Sequence, residues 1–120
     1  GYNSKKGKTN MGLIAANRVE KTNFSANGQT LELDVAAMNF ARVEFSGTYA
    51  FTAAFETSSN GTDWFPSLGT MTNAATTAVS HSTANATQAY TVDCKAATKV
   101  RVRLTAFTSA GTHKVAIAAC

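Results

Sequence analysis

The chain has 120 residues and a formal net charge of +4, and this length predicts one domain. No run approaches the roughly 18 apolar residues that a membrane-spanning helix needs. The first twelve residues lack the apolar stretch of a signal peptide, although a processed secreted chain would look the same. Small residues dominate, with 22 Ala, 18 Thr and 9 Ser. The core must therefore depend on Phe, Val and closely packed Ala, and such a thin core favours assembly with a partner chain.

The positive charge is concentrated near the N-terminus. Residues 1–21 carry five basic side chains and one acidic one, a net charge of +4, whereas residues 22–120 carry six of each sign. We therefore predict a flexible basic arm at residues 1–21 and a β-sandwich domain at residues 22–120. Such an arm can hold an acidic protein surface, nucleic acid or lipid head groups, and a solvated tail is the alternative. Its candidate partner-binding residues are Lys5, Lys6, Lys8 and Arg18.

Apolar and polar residues alternate from residue 30 onward. Successive side chains of a strand point to opposite faces of a sheet, so a period of two predicts strands with one face in the core. Ahead of them, the apolar run MGLIAA (residues 11–16) is interpreted as a first strand or as an anchor that docks on a neighbour. The predicted strands lie in TLELDVA (30–36), FARVEF (40–45), AFTAAFE (50–56), KVRVRLTAF (99–107) and THKVAIAA (112–119).

Turn signals separate these runs, and they predict the fold class. Short strands at this spacing, without a convincing amphipathic helix, are typical of an all-β fold, an antiparallel β-sandwich or jelly roll. Residues 71–89 are rich in Ala, Thr and Ser; because dense Thr and Ser disfavour a helix, we predict a loop with one or two edge strands. The turn signals are Asn27-Gly28, Ser46-Gly47, Asn60-Gly61 and Ala110-Gly111.

The stretch FETSSNGTDWFPSLGT holds the only Trp and the only Pro of the chain. We predict a tight turn at Asn60-Gly61, because this pair tolerates the positive φ of a hairpin turn. Trp64 then starts the return strand, which Pro66 interrupts or places at an edge, because it lacks an amide donor. The favoured interpretation is that Trp64 plugs one end of the sandwich. The alternatives are an interface contact and a sugar-stacking site formed by Asn60, Asp63 and Trp64.

Two stretches, TSSNGTDWFPSL and AYTVDCKAATKVRVRLTAFTSAGTHKVAIAA, resemble small β-sandwich virion proteins of tailed phages. The shared pattern is an S-x-D/N-G-T-x-W turn, a variable Thr- and Ala-rich loop, a Y-x-V-D strand, a V-R-V-R-like strand and a T-S-x-G-T turn. The resemblance covers residues 40–119, with departures at Cys94 and Ala110. The matching positions are Ser59, Asn60, Gly61, Thr62, Trp64, Tyr90, Val92, Asp93, Val100, Arg101, Val102, Arg103, Thr108, Ser109, Gly111 and Thr112.

The resemblance implies a structural component of the virion. Such domains occur as capsid decoration or cement proteins, as tail and baseplate accessories, and as host-surface binding modules. We expect a capsid decoration protein on the capsid surface, bound to the major capsid protein and to neighbouring copies of itself as a homo-oligomer, with a trimer as the expected form. The alternatives are a tail or baseplate accessory and a carbohydrate-binding module. Neither nucleic acid nor a membrane is an expected partner.

No catalytic or metal-binding signature stands out in the sequence. His81 and His113 have no Cys, His or acid at ligand spacing and are interpreted as surface residues. Glu32 and Asp34 share a strand face and are interpreted as a solvated or interface face rather than a glycosidase pair. A pairing of Cys94 with a histidine for nucleophilic catalysis stays open, without a local signature to support it. We therefore predict a protein that is not an enzyme and has no cofactor and no metal.

Two arginines project from one face of a predicted strand. Arg101 and Arg103 are predicted to form a cross-strand charge ladder with Arg42 and Glu44. The alternative is a basic stripe for an acidic partner. Nucleic acid is less favoured, because such sites place aromatic side chains among the basic ones, whereas the neighbours here are Val and Leu.

The two cysteines, Cys94 and Cys120, are too few for a disulfide scaffold and lack metal spacing. They are interpreted as free thiols in a reducing compartment, and an interchain link through Cys120 is the alternative.

Overall fold

The described part of the chain is built from strands and turns. A computed structural model describes residues 17–82 and 85–120; within those ranges it contains eleven strands and no helix, and therefore no helix that could cross a membrane. The strands are β1 Arg18–Lys21, β2 Thr30–Asp34, β3 Phe40–Gly47, β4 Ala50–Ser58, β5 Phe65–Pro66, β6 Gly69–Met71, β7 Thr77–Ala78, β8 Ser80–His81, β9 Gln88–Asp93, β10 Lys99–Ser109 and β11 His113–Ala119.

The strands form two antiparallel sheets around one core, which confirms the predicted β-sandwich. The six-stranded sheet has the order β1-β11-β3-β9-β6-β7, and the five-stranded sheet has the order β2-β10-β4-β5, with β8 also paired to β4. Phe, Val and Leu of the alternating runs face inward, as period two predicts. The largest fully buried apolar side chains are Phe24, Val35, Val43, Phe45, Phe55, Val92, Val100, Val102, Leu104, Val115 and Ile117.

The two long sides of the sandwich differ. On one side the edge strands β1 and β2 contact each other. On the other side the chain crosses from β5 to β6 and back from β7 to β8, because β5 and β8 pair with β4 of the five-stranded sheet whereas β6 and β7 belong to the six-stranded sheet. The Ala- and Thr-rich stretch thus forms very short edge strands, as predicted. A Cβ atom at Gly69 would lie within 3.0 Å of the ring of Phe55 and of the Cβ atom of Tyr90, so a glycine lets the chain pass close to the core here.

The boundary between arm and domain lies earlier than predicted. Residues 18–21, assigned above to the arm, form β1, which pairs with β11 in the register Arg18↔Ala118 to Lys21↔Val115. Val19 packs against the core, so the strand is held by burial as well as by backbone hydrogen bonds. Lys5, Lys6, Lys8 and the run at residues 11–16 lie outside the described residues.

Both histidines are buried, so the prediction that they are surface residues is wrong. The hydroxyl of Tyr49 donates to the carbonyl oxygen of Ala86 at 2.6 Å and lies 2.6 Å from Nε2 of His81, whose Nδ1 is 2.8 Å from the hydroxyl of Tyr90. Because the hydroxyl of Tyr49 donates its proton to the Ala86 carbonyl, we assign Nε2 of His81 as the donor to that hydroxyl. In the tautomer with its proton on Nε2, Nδ1 accepts from the hydroxyl of Tyr90. The Nε2 atom of His113 accepts a hydrogen bond from the N–H of Phe24, and its Nδ1 atom is hydrogen-bonded to the carbonyl oxygen of Ala110 at 2.6 Å. Each ring is hydrogen-bonded on both sides, which allows its burial.

Candidate functional site

Asn60 organises the turn that carries the predicted ligand residues. Its Oδ1 accepts hydrogen bonds from the N–H groups of Thr62 and Asp63, each at 2.8 Å, and its Nδ2 donates to the Asp63 carboxylate at 2.8 Å. Gly61 has the predicted positive φ, 79°. The connection from β4 to β5 spans residues 59–64 and is therefore longer than the predicted tight hairpin. Asn60 and Asp63 hold each other in an Asx-type turn, which leaves fewer polar atoms for a ligand.

Trp64 does not plug the sandwich, and the favoured interpretation of this residue is wrong. It is half-buried and lies outside the core cluster. Its ring is stacked on the guanidinium of Arg101, whose Cζ is 4.1 Å from the ring centroid. Arg101 points away from the core on β10, so Trp64 lies on the outer face of the five-stranded sheet. The long turn that Asn60 organises carries the indole over this face instead of into the core.

Glu56 joins the two arginines, and Arg101 in turn contacts Trp64. We call these four residues, Glu56, Trp64, Arg101 and Arg103, the outer cluster. The Nε of Arg101 lies 2.8 Å from Oε1 of Glu56, and Arg103 binds both carboxylate oxygens, at 3.0 Å through Nε and 2.8 Å through Nη2. β10 pairs with β4 in the register Arg101↔Glu56, which brings these side chains together. Glu56 is only 6% exposed. With two cations and one anion, the outer cluster has a net charge of +1.

The predicted charge ladder of Arg101 and Arg103 with Arg42 and Glu44 is wrong, because the two pairs belong to different sheets. β10 lies in the five-stranded sheet and β3 in the six-stranded sheet, with the core between them. Arg42 instead binds Glu44 on its own strand at 2.7 Å. The alternative was a basic stripe that binds an acidic partner. Because both arginines are paired with Glu56, only one positive charge of the outer cluster is left for such a partner.

The outer cluster predicts a specific pH dependence. Hydrogen bonding from Arg103 lowers the pKa of Glu56 below its ordinary value of 4.5, against the opposing effect of burial. A carboxyl group with a lowered pKa in the folded state stabilises the fold above its unfolded pKa, and this contribution is lost as the pH falls through the folded pKa. At neutral pH, Glu56→Gln is expected to cost about 1–2 kcal/mol, because a charged hydrogen-bond acceptor is removed.

The measurement is the difference in free energy of unfolding between wild type and Glu56→Gln from pH 8 to pH 3. We expect a constant difference above about pH 5 that shrinks progressively as the pH falls below 4.5. Glu44→Gln is the matched control; its carboxylate is paired but 43% exposed, so its loss should change stability by no more than about 0.5 kcal/mol. A difference for Glu56→Gln that is undiminished at pH 3 would contradict this assignment.

Trp64→Ala is expected to lower the free energy of unfolding by about 1–2 kcal/mol, the loss of a cation–π contact and some burial. Phe55→Ala is the comparison, because Phe55 is fully buried and its truncation should cost about 3–5 kcal/mol. Urea unfolding of both variants measures the two effects. Equal losses would mean that Trp64 is a core residue after all.

Three large apolar side chains are exposed on the side of the sandwich where the chain crosses between the sheets. We call Phe65, Leu68 and Val79 the apolar edge; they are 63%, 59% and 47% exposed. The N–H of Ser67 donates to the carbonyl of Phe55 and the N–H of Phe55 donates to the carbonyl of Val79, so the two segments flank the same residue of β4. Pro66 pairs with Glu56, which places the apolar edge next to the outer cluster. The sequence interpretation missed this surface, although Phe65 and Leu68 flank Pro66 in the quoted stretch.

Two observations concern metal ligands and the thiols of the described residues. Within residues 17–82 and 85–120, no three His, Cys, Asp or Glu side chains are grouped to hold a metal ion. Burial raises the pKa of the Cys94 thiol, which disfavours the reactive thiolate. Cys94 and Cys120 are both free, with Cys94 buried and Cys120 exposed. The alternative of an interchain link through Cys120 stays a prediction.

Comparison with known proteins adds information about the fold. No protein-family model and no curated protein sequence matches the chain. The SPBc2 prophage-derived protein YomS has a similar structure, with a TM-score of 0.66 and 16% identity over 92% of this chain and 100% of that chain. The PBSX exported protein XepA has a TM-score of 0.66 and 24% identity over 89% of this chain and 39% of that chain. The β-sandwich is therefore a fold shared with phage-derived proteins. At these identities the likeness concerns the fold alone, and this chain spans about two fifths of XepA.

Proposed function

We propose that this chain is a structural virion protein of a tailed phage, and specifically a capsid decoration protein that binds the major capsid protein. The observation that carries the proposal is the apolar edge beside the cationic outer cluster. Large exposed side chains of this kind mark protein interaction sites. The resemblance of residues 40–119 to phage virion proteins and the phage origin of YomS and XepA support a phage context.

The mechanism is multivalent attachment. Burying Phe65 and Leu68 against a partner contributes at most about 1.5–3 kcal/mol each. Immobilising the two proteins offsets much of that gain, so one apolar edge alone gives a weak contact. Several copies joined in a homo-oligomer, or one copy touching several capsid subunits, raise the overall affinity without new contacts. This arrangement would hold neighbouring capsid subunits together.

A second contact region is proposed on the opposite side of the sandwich. β1 lies at the edge farthest from β5 and β8, and the basic residues Lys5, Lys6 and Lys8 precede it in the chain. Arg18, the fourth candidate, is already ion-paired with Glu20 and approaches Glu44 at 3.8 Å, so it has less to offer a partner. Contacts on two opposite sides suit a protein that bridges neighbours. The basic contact would weaken at high salt, because exposed charges are screened.

The experiment measures binding of the Phe65→Ser/Leu68→Ser variant to purified capsids that lack the protein. We expect at least about tenfold weaker binding per copy, the loss of about 1.4 kcal/mol or more, at a nearly unchanged melting temperature. Thr105→Ser/Ala106→Ser is the control, because both residues are exposed on the same sheet and lie outside the proposed contacts. Wild-type binding by the Phe65→Ser/Leu68→Ser variant would refute the proposed surface.

The copy number per virion distinguishes the alternatives. A decoration protein should be present in many copies per head and co-purify with heads. A tail or baseplate accessory should be present in few copies, in tail fractions, and that result would replace the capsid assignment. The carbohydrate-binding alternative is less favoured, because Asn60 and Asp63 bind each other and Arg101 covers one face of the Trp64 ring. Glycan binding that Trp64→Ala abolishes would reverse this preference.

A further inference from the structure

An apolar groove of about 390 Å³ lies on the outer face of the six-stranded sheet, at the end where β1 begins. Its floor includes the ring of Phe40, the methyl group of Ala118 and the exposed thiol of Cys120. The backbones of Phe40 and Cys120 exchange two hydrogen bonds of 3.2 Å, which holds the floor together. Asn17 forms part of the wall.

Small side chains create this recess. Ala118 on β11 lies opposite Arg18 of β1 on one side and opposite Arg42 of β3 on the other. Its methyl group therefore lies between two long side chains. Phe40, at the end of the groove, is 47% exposed although most large apolar residues of the described chain are buried. The groove therefore offers apolar surface and depth, which suits aliphatic side chains.

The chain itself carries a matching segment at the right place. Residues 11–16, MGLIAA, directly precede the groove residue Asn17 and contain Leu13 and Ile14. The N–H of Ala119 donates to the carbonyl of Asn17 at 2.9 Å, and Nδ2 of Asn17 donates to the carbonyl of Asp34 at 3.2 Å, so the point where the segment joins the domain is fixed.

The reach of the segment is sufficient. Six extended residues span up to about 20 Å, whereas the three strands under the groove, β11, β3 and β9, span about 10 Å at the usual strand spacing. The segment is attached beside the groove, so docking within one chain avoids the entropic cost of bringing two molecules together.

We propose that residues 11–16 of the same chain dock into the groove formed by Phe40, Ala118 and Cys120, through the side chains of Leu13 and Ile14. The docked segment covers the Cys120 thiol. It also holds Lys5, Lys6 and Lys8 close to the outer face of the six-stranded sheet. This inference does not depend on the proposed capsid partner.

Cys120 is a native reporter for the docking, because Cys94 is buried and reacts slowly. The first experiment compares the rate of maleimide alkylation of Cys120 in the full chain and in Leu13→Asp/Ile14→Asp. A segment that covers the groove about 90% of the time slows alkylation about tenfold, so the variant should react about tenfold faster. Lys5→Ser/Lys6→Ser is the matched control and should react like wild type. Equal rates in wild type and Leu13→Asp/Ile14→Asp would overturn the proposal.

The second experiment identifies which chain supplies the segment. Ile14→Cys is oxidised with copper–phenanthroline in dilute solution, and the product is separated on a non-reducing gel. The expected product is a monomer with an internal disulfide between the introduced thiol and Cys120, because a disulfide requires Cα atoms within about 7 Å. The same variant with Cys120→Ser should form none. A disulfide-linked dimer would assign the groove to a second copy, and an unlinked monomer would leave the segment undocked; either result overturns the proposal.

Discussion

Replacement of Gly47 with alanine is expected to lower the free energy of unfolding by at least about 3 kcal/mol, because backbone strain and overpacking add at one position. Gly47 ends β3 with a φ of 92°, in the left-handed region. A Cβ atom at this position would overlap the carbonyl oxygen of Thr112 and lie 3.0 Å from Cα of His113. These are backbone atoms of the facing turn, and the N–H of Thr48 donates to the same Thr112 carbonyl at 3.0 Å. The two turns therefore cannot separate without breaking this bond.

Gly61→Ala separates the clash from the dihedral strain. Gly61 also has a positive φ, 79°, but the nearest atom to an added Cβ is Cε of Lys99 at 3.6 Å. This change should cost only about 1 kcal/mol, the strain of a non-glycine residue at positive φ. Chemical denaturation of both variants measures the two costs. Similar losses would show that the contact between the two turns is dispensable.

Replacement of His81 with leucine is expected to cost about 2–4 kcal/mol, because a buried hydroxyl loses its partner and a well-packed ring is removed. The ring of His81 stacks on Phe45 with centroids 4.3 Å apart and bonds the hydroxyls of Tyr49 and Tyr90. Tyr49 keeps its bond to the Ala86 carbonyl in the variant. Tyr90 is left with a buried hydroxyl that has lost the imidazole nitrogen as its acceptor.

A double-mutant cycle with Tyr90→Phe isolates that hydroxyl. In the His81→Leu background, Tyr90→Phe removes the unsatisfied group and should be nearly neutral or stabilising. In wild type, the same change removes a hydrogen bond and should cost about 1 kcal/mol. The two changes should therefore be coupled by about 1 kcal/mol or more. Additive effects would contradict the assigned hydrogen bond between His81 and Tyr90.

The fold class was predictable because period-two alternation is a local property of a strand with one buried face. The runs around β2, β3, β4, β10 and β11 carry that pattern clearly, and burial follows it along most of each strand. The positive φ of Gly61 was predictable for a similar reason, since Asn-Gly specifies the backbone locally.

The strand order was not predictable, and the errors in the candidate site follow from it. The alternating pattern around Arg101 and Arg103 is compatible with pairing to any strand that carries an outward acidic residue. Only the pairing of β10 with β4 shows that their partner is Glu56 and not Glu44. The burial of His81 depends on partners 9 and 32 residues away, Tyr90 and Tyr49, which no local pattern reveals.

Trp64 and the apolar edge show a related limit. Alternation predicts which side chains face the core while a strand is paired, but β5 is paired over only two residues. Trp64 lies just before β5, Phe65 is its first residue, and Leu68 follows its last residue by two positions, where the chain turns toward the other sheet. In such a segment, strand pairing does not fix which side chains face the core. The hydrophobicity of a large side chain alone therefore predicted burial where the side chain is exposed or half-buried.

The outermost strands of both sheets have a consequence for solubility at high local concentration. An exposed strand edge is a template on which further strands can add, and long flat edges promote aggregation. In the described chain, β5 and β7 are two residues long and β5 contains Pro66. On the other side of the sandwich, the edge strands β1 and β2 are four and five residues long and contact each other, and the outward residues of β1 are the ion-paired Arg18 and Glu20. These edges give an incoming strand few consecutive backbone groups to pair with. Many copies could therefore stand side by side without growing into continuous intermolecular sheets, and association would be left to side-chain surfaces with a defined geometry.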